Sequence, residues 1–382
     1  MQWIGKGTIR RPDIRNGDLD KATKMTEIHR APQLDALRAI AVSAVLIHHF
    51  LPVQRLFSEN FLTLGLLAVR LFFVLSGYLI TGILLRSRSL RFGVALGEFY
   101  TRRALRILPI YYLTLLVAAL VGVAAVSHFI FWHTFYVSNI LFILKPAVAG
   151  PIGHLWTLSV EEQFYIAWPF LVLLTPYKYT ARMIVATVGL GIVWKTIVAF
   201  TLGPDIAGGI LAPACFDSLG IGALLAFIEN DKKLRPQRNR LLHSALMAGI
   251  VIVFLQTSLY VAGRGLRFFW STSYLGVSLV FVWLVGRAAE GFKGKLGAIL
   301  EWPPLTYVGK ISYGIYLYHF FMPDIVRYLA KSLSLRSPHT LLTFFFASAL
   351  TLTASIISWH LIERPINRWK EGLRFSRRQT QE

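Results

Sequence analysis

LLTFFFASALTLTASIISWHLI, residues 341–362, runs for 22 positions without an Asp, Glu, Lys or Arg. At 1.5 Å per residue a helix of that length covers the roughly 30 Å hydrocarbon core of a bilayer. Runs at 107–126, 183–203 (broken only by Lys195), 241–262 and 271–286 approach or exceed the roughly 20 residues that cross a bilayer as helix. The whole chain of 382 residues is 55% hydrophobic and only 15% charged, against about 25% charged in soluble domains. A soluble core of this size would not need so much apolar material, so the chain is read as a polytopic membrane protein.

The formal net charge of +21 would suit a nucleic-acid binder, but its placement argues against one. Ten spans are placed at 35–54, 65–85, 107–126, 161–175, 182–202, 216–229, 241–261, 271–287, 310–330 and 341–361. The apolar segment 128–144 is set apart as re-entrant or surface-lying, because counting it would put Lys232, Lys233, Arg235, Arg238 and Arg240 outside. With that choice 30 of the 40 Lys and Arg fall on the inner side, 6 on the outer side and 4 within spans, as the positive-inside rule requires. The expected fold class is therefore all-α, with about ten transmembrane helices plus one re-entrant or interfacial segment. Residues 1–33 are expected to be a basic cytoplasmic tail without a signal-peptide pattern, 34–369 the membrane domain, and 370–382 a second cytoplasmic tail. The single cysteine, Cys215, excludes an intrachain disulfide. The 216–229 span is short and Gly-rich, which suits a tilted or inward-packed helix.

Polar groups inside a bilayer are costly, so each is a candidate for function. In LDALRAIAVSAVLIHHF, 34–50, Arg38 and His49 are 11 residues apart, about 20° past three turns, so they share a helix face at a spacing of ~16 Å. Asp35 sits one turn before Arg38 and suits an ion pair with it. His48 points about 100° away. A histidine simply bonded within the bundle is the plain alternative for His49; sharing a face with Arg38 favours function. In GHLWTLSVEEQFY, 153–165, His154, Glu161 and Glu162 gather at a helix start on the outer side. Ser159 and Glu162 fit a capping box, which would account for Glu162 but not for Glu161, His154 and Trp156 as well. A carboxylate orienting a histidine is a familiar acid–base arrangement, so Glu161 or Glu162 is expected to meet His49 in the outer half of the bundle.

FYTRRALRILP, 99–109, places Arg102, Arg103 and Arg106 on the inner side. They serve either as topology charge beside lipid head groups or as a phosphate grip through bidentate bonds. In VRLFFVLSGYLIT, 69–81, Arg70 should face the interior or snorkel outward, and Ser76-Gly77 suits close helix packing. His319 lies among Tyr313, Tyr316 and Tyr318, either as a packing stripe or as a substrate lining. Asp324 and Arg327 form an i,i+3 pair near the outer end, read as structural, and Glu363-Arg364-Pro365 reads as a helix stop at the inner surface. There is no P-loop, dinucleotide glycine motif, CxxC, HExxH or GxSxG. No metal-ligand spacing is present either, so neither a metal nor a tightly bound cofactor is expected.

These stretches, followed by FDSLGIGALLA, VGKISYGIYLYHF and IERP, resemble in order the acyltransferase 3 family of integral membrane acyltransferases, over 34 to about 369. That family includes enzymes acetylating O-antigen, exopolysaccharide, nodulation factors and macrolides. The resemblance places its Arg-x10-His signature on Arg38 and His49, its Glu pair on Glu161 and Glu162, its arginine motif on Arg102, Arg103 and Arg106, and its aromatic-motif histidine on His319. It implies transfer of an acyl group, most often acetyl, from acetyl-CoA or another acyl-CoA as co-substrate to a carbohydrate hydroxyl. The setting is a bacterial inner (cytoplasmic) membrane with both termini inside and no nucleic-acid partner. His154, Trp156, Tyr165, Tyr316 and His319 are then expected to line the substrate site. Departures are Ala36 where the family usually has Gly, Arg70 where many members have Asp, and Cys215 where some have Arg. His48 beside His49 is a second possible base, and spacing favours His49. No hydrolase-like segment follows the last span, so the reaction is expected within the membrane domain or with a separate partner. The rival classes are a transporter or flippase, expected to show an inverted repeat that is not seen here, and a non-catalytic assembly factor.

Overall fold

A computed structural model describes residues 31–51, 63–201, 209–263, 266–334 and 340–372, with side chains left out at 151, 266–271, 273 and 369–372. The described residues are all-helical. In chain order the helices are α1 Pro32–Phe50, α2 Leu64–Arg86, α3 Phe92–Leu120, and the short α4 Ala124–Ser127, α5 Ile130–Thr134 and α6 Ser138–Leu144. Then follow α7 Leu155–Leu174, α8 Tyr177–Thr201, α9 Phe216–Asn230, α10 Arg238–Val261 and α11 Leu266–Glu290. The chain closes with α12 Gly294–Leu300, α13 Pro303–Lys310, α14 Ser312–Tyr318, α15 Met322–Ser332, α16 Thr340–Ser358 and α17 Arg364–Gly372.

Large apolar side chains such as Leu120 (77% exposed), Phe254 (68%) and Phe345 (64%) cover the outside. A soluble surface does not carry such a belt, whereas lipid matches it. Among the described residues six helices are long and apolar enough to cross a membrane, and a pair bent by 90° around 290–294 would make a seventh. The expected tally of ten is not reached by that measure. α1 and α7 carry the polar groups of the site, Glu161-Glu162-Gln163 among them, and are less apolar for it. The expected span 310–330 is broken into α14, a 3₁₀ turn at His319–Phe321 and α15, with Pro323 in the first turn of α15.

Three expected boundaries move. α3 starts at Phe92, not at 107, so its arginines lie within a 29-residue helix. α7 starts at Leu155, and Ser159 donates from Oγ to the Leu155 carbonyl at 3.0 Å instead of capping a helix. The IERP segment does not stop the last helix. A π-turn spanning Trp359–Glu363 leads directly from α16 into α17, with Pro365 in the first turn of α17, where its missing N–H is not needed. Segment 128–144 forms α5 and α6, too short to cross a bilayer.

α9 packs against α2, α8 and α11 at the centre of the bundle. Its crossing with α2 depends on two glycines. A Cβ at Gly77 would lie 1.9 Å from the Leu219 carbonyl oxygen, and one at Gly222 would lie 2.1 Å from that of Val74. Small residues on both sides let the backbones touch, which is how apolar helices associate in lipid. Arg70 faces the interior and is fully buried. Its Nη1 is 3.9 Å from Asp217 Oδ1 and donates to the Ala214 carbonyl at 3.4 Å, while its guanidinium sits 3.8 Å over the Tyr274 ring. Lys195 ion-pairs with the other oxygen of Asp217. One carboxylate thus joins α2, α8 and α9.

Candidate active site

The site has two levels along α1. Near its start Arg38 Nη1 bonds Asp35 Oδ1 at 2.8 Å, the pair expected from spacing. Arg103 and Arg106, one turn apart on α3, come to the same level, and each feels the charge of Arg38. Arg103 also feels Glu161 and Glu162, and its guanidinium lies 5.3 Å from the centre of the Tyr165 ring. Arg106 feels Asp35 and, from the π-turn between α16 and α17, the buried Glu363. Among the described residues neither Arg103 nor Arg106 has a carboxylate oxygen within 4.0 Å. Arg102 does not join them. It is exposed and pairs with Glu98 at 3.6 Å.

Glu161 is held by a relay: Tyr165 donates to Ser76 Oγ at 3.2 Å, and Ser76 donates to Glu161 Oε1 at 2.7 Å. Ser76, read from the sequence as a packing residue, is therefore also the hydrogen-bond partner of the carboxylate. Glu162 is half-buried beside it and makes no hydrogen bond among the described residues.

The second level lies at the far end of α1. The His49 ring is 5.2 Å from His319, 4.7 Å from Phe320 and 4.9 Å from His48. His154, at the start of α7, lies 5.1 Å from His319 and stacks on Phe320 at 4.8 Å. Two of these rings are pinned by backbone. His319 Nδ1–H donates to the Tyr316 carbonyl at 2.6 Å, and His154 Nε2–H donates to the Leu317 carbonyl at 3.2 Å. That bonding assigns the tautomers and leaves His319 Nε2 and His154 Nδ1 as buried acceptors with no partner among the described residues. Orphaned acceptors of this kind are rare and need an explanation; hydrogen bonds with a substrate hydroxyl or a migrating proton would supply one. His49 is the exposed member and faces open space.

The structure thus brings together Arg38, Arg103, Arg106, Glu161 and Glu162 at one level and His49, His154 and His319 at the other. The expected histidine–carboxylate contact is not among the contacts of His49. Because α7 begins at Leu155, Glu161 lies seven residues past His154, ~10 Å down the helix. The aromatic residues expected to stack on sugar are mostly packed inside. Tyr165 and Tyr316 are 5% and 8% exposed, the Tyr316 hydroxyl hydrogen-bonds Thr157 Oγ1 at 2.6 Å, and Trp156 sits edge-on to Phe73. The sequence reading gave no role to Phe320, which touches both His49 and His154, since nothing in the sequence separates it from the adjoining apolar Phe321 and Met322. Among the described residues no group of three or more His, Cys, Asp and Glu is placed to hold a metal.

A helical membrane bundle with a guanidinium cluster near one end of a helix, two of its members without a carboxylate partner among the described residues, and a histidine cluster at the other end is suited to handling an anionic donor and a proton-bearing acceptor. Every residue of this arrangement from Arg38 to His319 lies within 32–360, the stretch that matches the acyltransferase domain family (acyltransferase 3), and the chain belongs to that family. It is similar to the peptidoglycan O-acetyltransferase OatA of Listeria monocytogenes, 30% identical over 365 residues that cover 88% of this chain and 56% of the relative. It is also similar to YrhL of Bacillus subtilis, 30% identical over 383 residues covering 92% of this chain and 57% of that one. The chain spans little more than half the length of these relatives. No solved structure matches it.

Proposed function

We propose that the chain is a membrane-bound O-acyltransferase that moves an acyl group, acetyl in the first instance, from acyl-coenzyme A to a hydroxyl of a cell-envelope carbohydrate. The observation that carries this reading is the combination of Arg103 and Arg106, which have no carboxylate partner among the described residues, with His49 farther along the face of α1 that holds Arg38. Guanidinium forks bind phosphates bidentately, so Arg103, Arg106 and Arg38 hold the nucleotide and diphosphate of the donor. The pantetheine arm then runs along α1 and presents the thioester at the histidine level. His49 removes the proton of the acceptor hydroxyl as its oxygen attacks the thioester carbonyl. The C–S bond breaks, the ester forms, and the coenzyme A thiolate takes up a proton. His319 and His154 offer their acceptor nitrogens to the incoming hydroxyl. Glu161 and Glu162 act on the donor level, holding Arg103 in place by charge. The setting is a bacterial cytoplasmic membrane with both termini inside.

The name of the Listeria relative makes peptidoglycan the first acceptor to assay, with exopolysaccharide and lipopolysaccharide beside it. The test compares ester-linked acetate on these glycans, by NMR before and after mild alkali, in a deletion strain and in the strain complemented with wild type. Acetate that returns with the gene and shifts a sugar resonance supports the reading. Equal acetate in both strains overturns it. For the donor level, Arg103→Gln and Arg106→Gln are each expected to weaken acetyl-CoA binding about tenfold, the worth of ~1.4 kcal/mol from one lost charge-assisted bond. Titration of the purified variants checks this, and affinity within twofold of wild type in both would discard the phosphate grip.

A further inference from the structure

At the histidine end of α1, opposite the arginines, His49 opens on a cavity of about 370 Å³ whose other walls include Phe50, Phe320, Pro323, Asp324 and Arg327. Its size falls within the range of small-molecule sites, roughly 300–1,000 Å³. Asp324 and Arg327, one turn apart on α15, are ion-paired to each other with side chains 62% and 58% exposed. An exposed ion pair of this kind contributes little to stability, about 0–1 kcal/mol, so the fold does not require it. The same helix turns a separate face outward, with Ile325 41%, Tyr328 71% and Leu329 46% exposed, while Val326 is buried. Apolar residues at this spacing beside a charged face are the pattern of a helix lying at a membrane interface. The charged face is the one that lines the cavity.

We infer that this cavity is the acceptor subsite, and that Asp324 and Arg327 are the residues that bind a sugar ring presented at the membrane surface away from the arginine end. The inference rests on the acyl-transfer reading and deepens it. A carboxylate accepts hydrogen bonds from neighbouring sugar hydroxyls, and a guanidinium donates to ring and hydroxyl oxygens. Phe50 and Phe320 supply apolar wall for the C–H face of the ring. A sugar held against α15 directs one hydroxyl at His49, while the donor's phosphates stay ~16 Å away at the start of α1. Donor and acceptor thus enter from opposite ends and meet at His49.

The test uses the full chain. The deletion strain is complemented with wild type, Asp324→Asn, Arg327→Gln, the double variant, or His49→Ala. Ester-linked acetate on envelope glycans is measured, and each purified protein is titrated with acetyl-CoA. The expected result is at least a tenfold loss of glycan acetate in the double variant, with acetyl-CoA affinity within twofold of wild type, which also reports an intact fold. On whole cells, Arg327→Cys should react with a membrane-impermeant maleimide, where the buried Cys215 does not. Wild-type acetate in the double variant, with His49→Ala inactive, would overturn the subsite and leave the transferase reading standing. Weakened acetyl-CoA binding would overturn it by placing the pair on the donor side or in the fold, and an unlabelled Arg327→Cys would overturn the direction of entry. Undiminished acetate in His49→Ala would instead overturn the transfer reading itself.

Discussion

His49→Ala is expected to lower acyl transfer by about 10²–10⁴-fold, the usual contribution of a positioned general base, while acetyl-CoA affinity and protein level stay at wild type. The reason is position. His49 is the last-but-one residue of α1, exposed toward the cavity, and its ring meets His48 and Phe320 edge-on and His319 at a tilt. Removing it opens no packed core and leaves Arg38, Arg103 and Arg106 untouched. His48→Ala is the matched control, since it points to another face of the helix and abuts Gly65, whose missing Cβ leaves room for the His48 ring at 2.4 Å. Steady-state rates of both variants, read with acetyl-CoA titrations, decide the matter. Transfer within a few-fold of wild type in His49→Ala, or an equal loss in both variants, would remove His49 from the base role.

The second large effect concerns stability. Asp217→Asn is expected to destabilise the protein by about 3–5 kcal/mol, because it leaves buried cations without their counter-charge. Asp217 is fully buried and lies against Lys195 and Arg70, themselves 5% and 0% exposed. Two cations on one carboxylate leave the cluster with a positive excess. Lys195→Met, which removes that excess and keeps a similar apolar volume, is therefore expected to cost much less than Asp217→Asn. Thermal unfolding of the purified variants in detergent checks the order. A Lys195→Met protein as unstable as Asp217→Asn would show that shape, not charge balance, is what the cluster supplies.

The membrane class, the all-helical fold and the most telling local pair were legible in the sequence. Apolar run length and the 3.6-residue period are properties of one segment at a time, so they identify membrane helices, the Asp35–Arg38 ion pair and the shared face of Arg38 and His49 without knowledge of any neighbour. The exclusion of Arg70 from lipid followed in the same way, since a guanidinium facing lipid is costly, but the choice of the interior over the outer surface did not. Its partners did not, because Asp217 and Lys195 are distant in sequence and any buried acid would have served equally well on paper.

Which charges meet was decided by tertiary structure. Arg103 and Arg106 were expected at the inner surface and Glu161 and Glu162 beside His49. The helices begin earlier than hydropathy suggests, at Phe92 and Leu155, because a bundle interior tolerates polar residues that a lipid-facing helix would not. That shift slides the arginines up and the carboxylates down until they share a level, and it leaves His154 and His319 as the companions of His49. Neighbour choice itself rests on contacts such as Gly77 against Leu219 and Gly222 against Val74. Each needs a small residue on one helix and a bare stretch of backbone on another, and that complementarity exists only once the two helices have met.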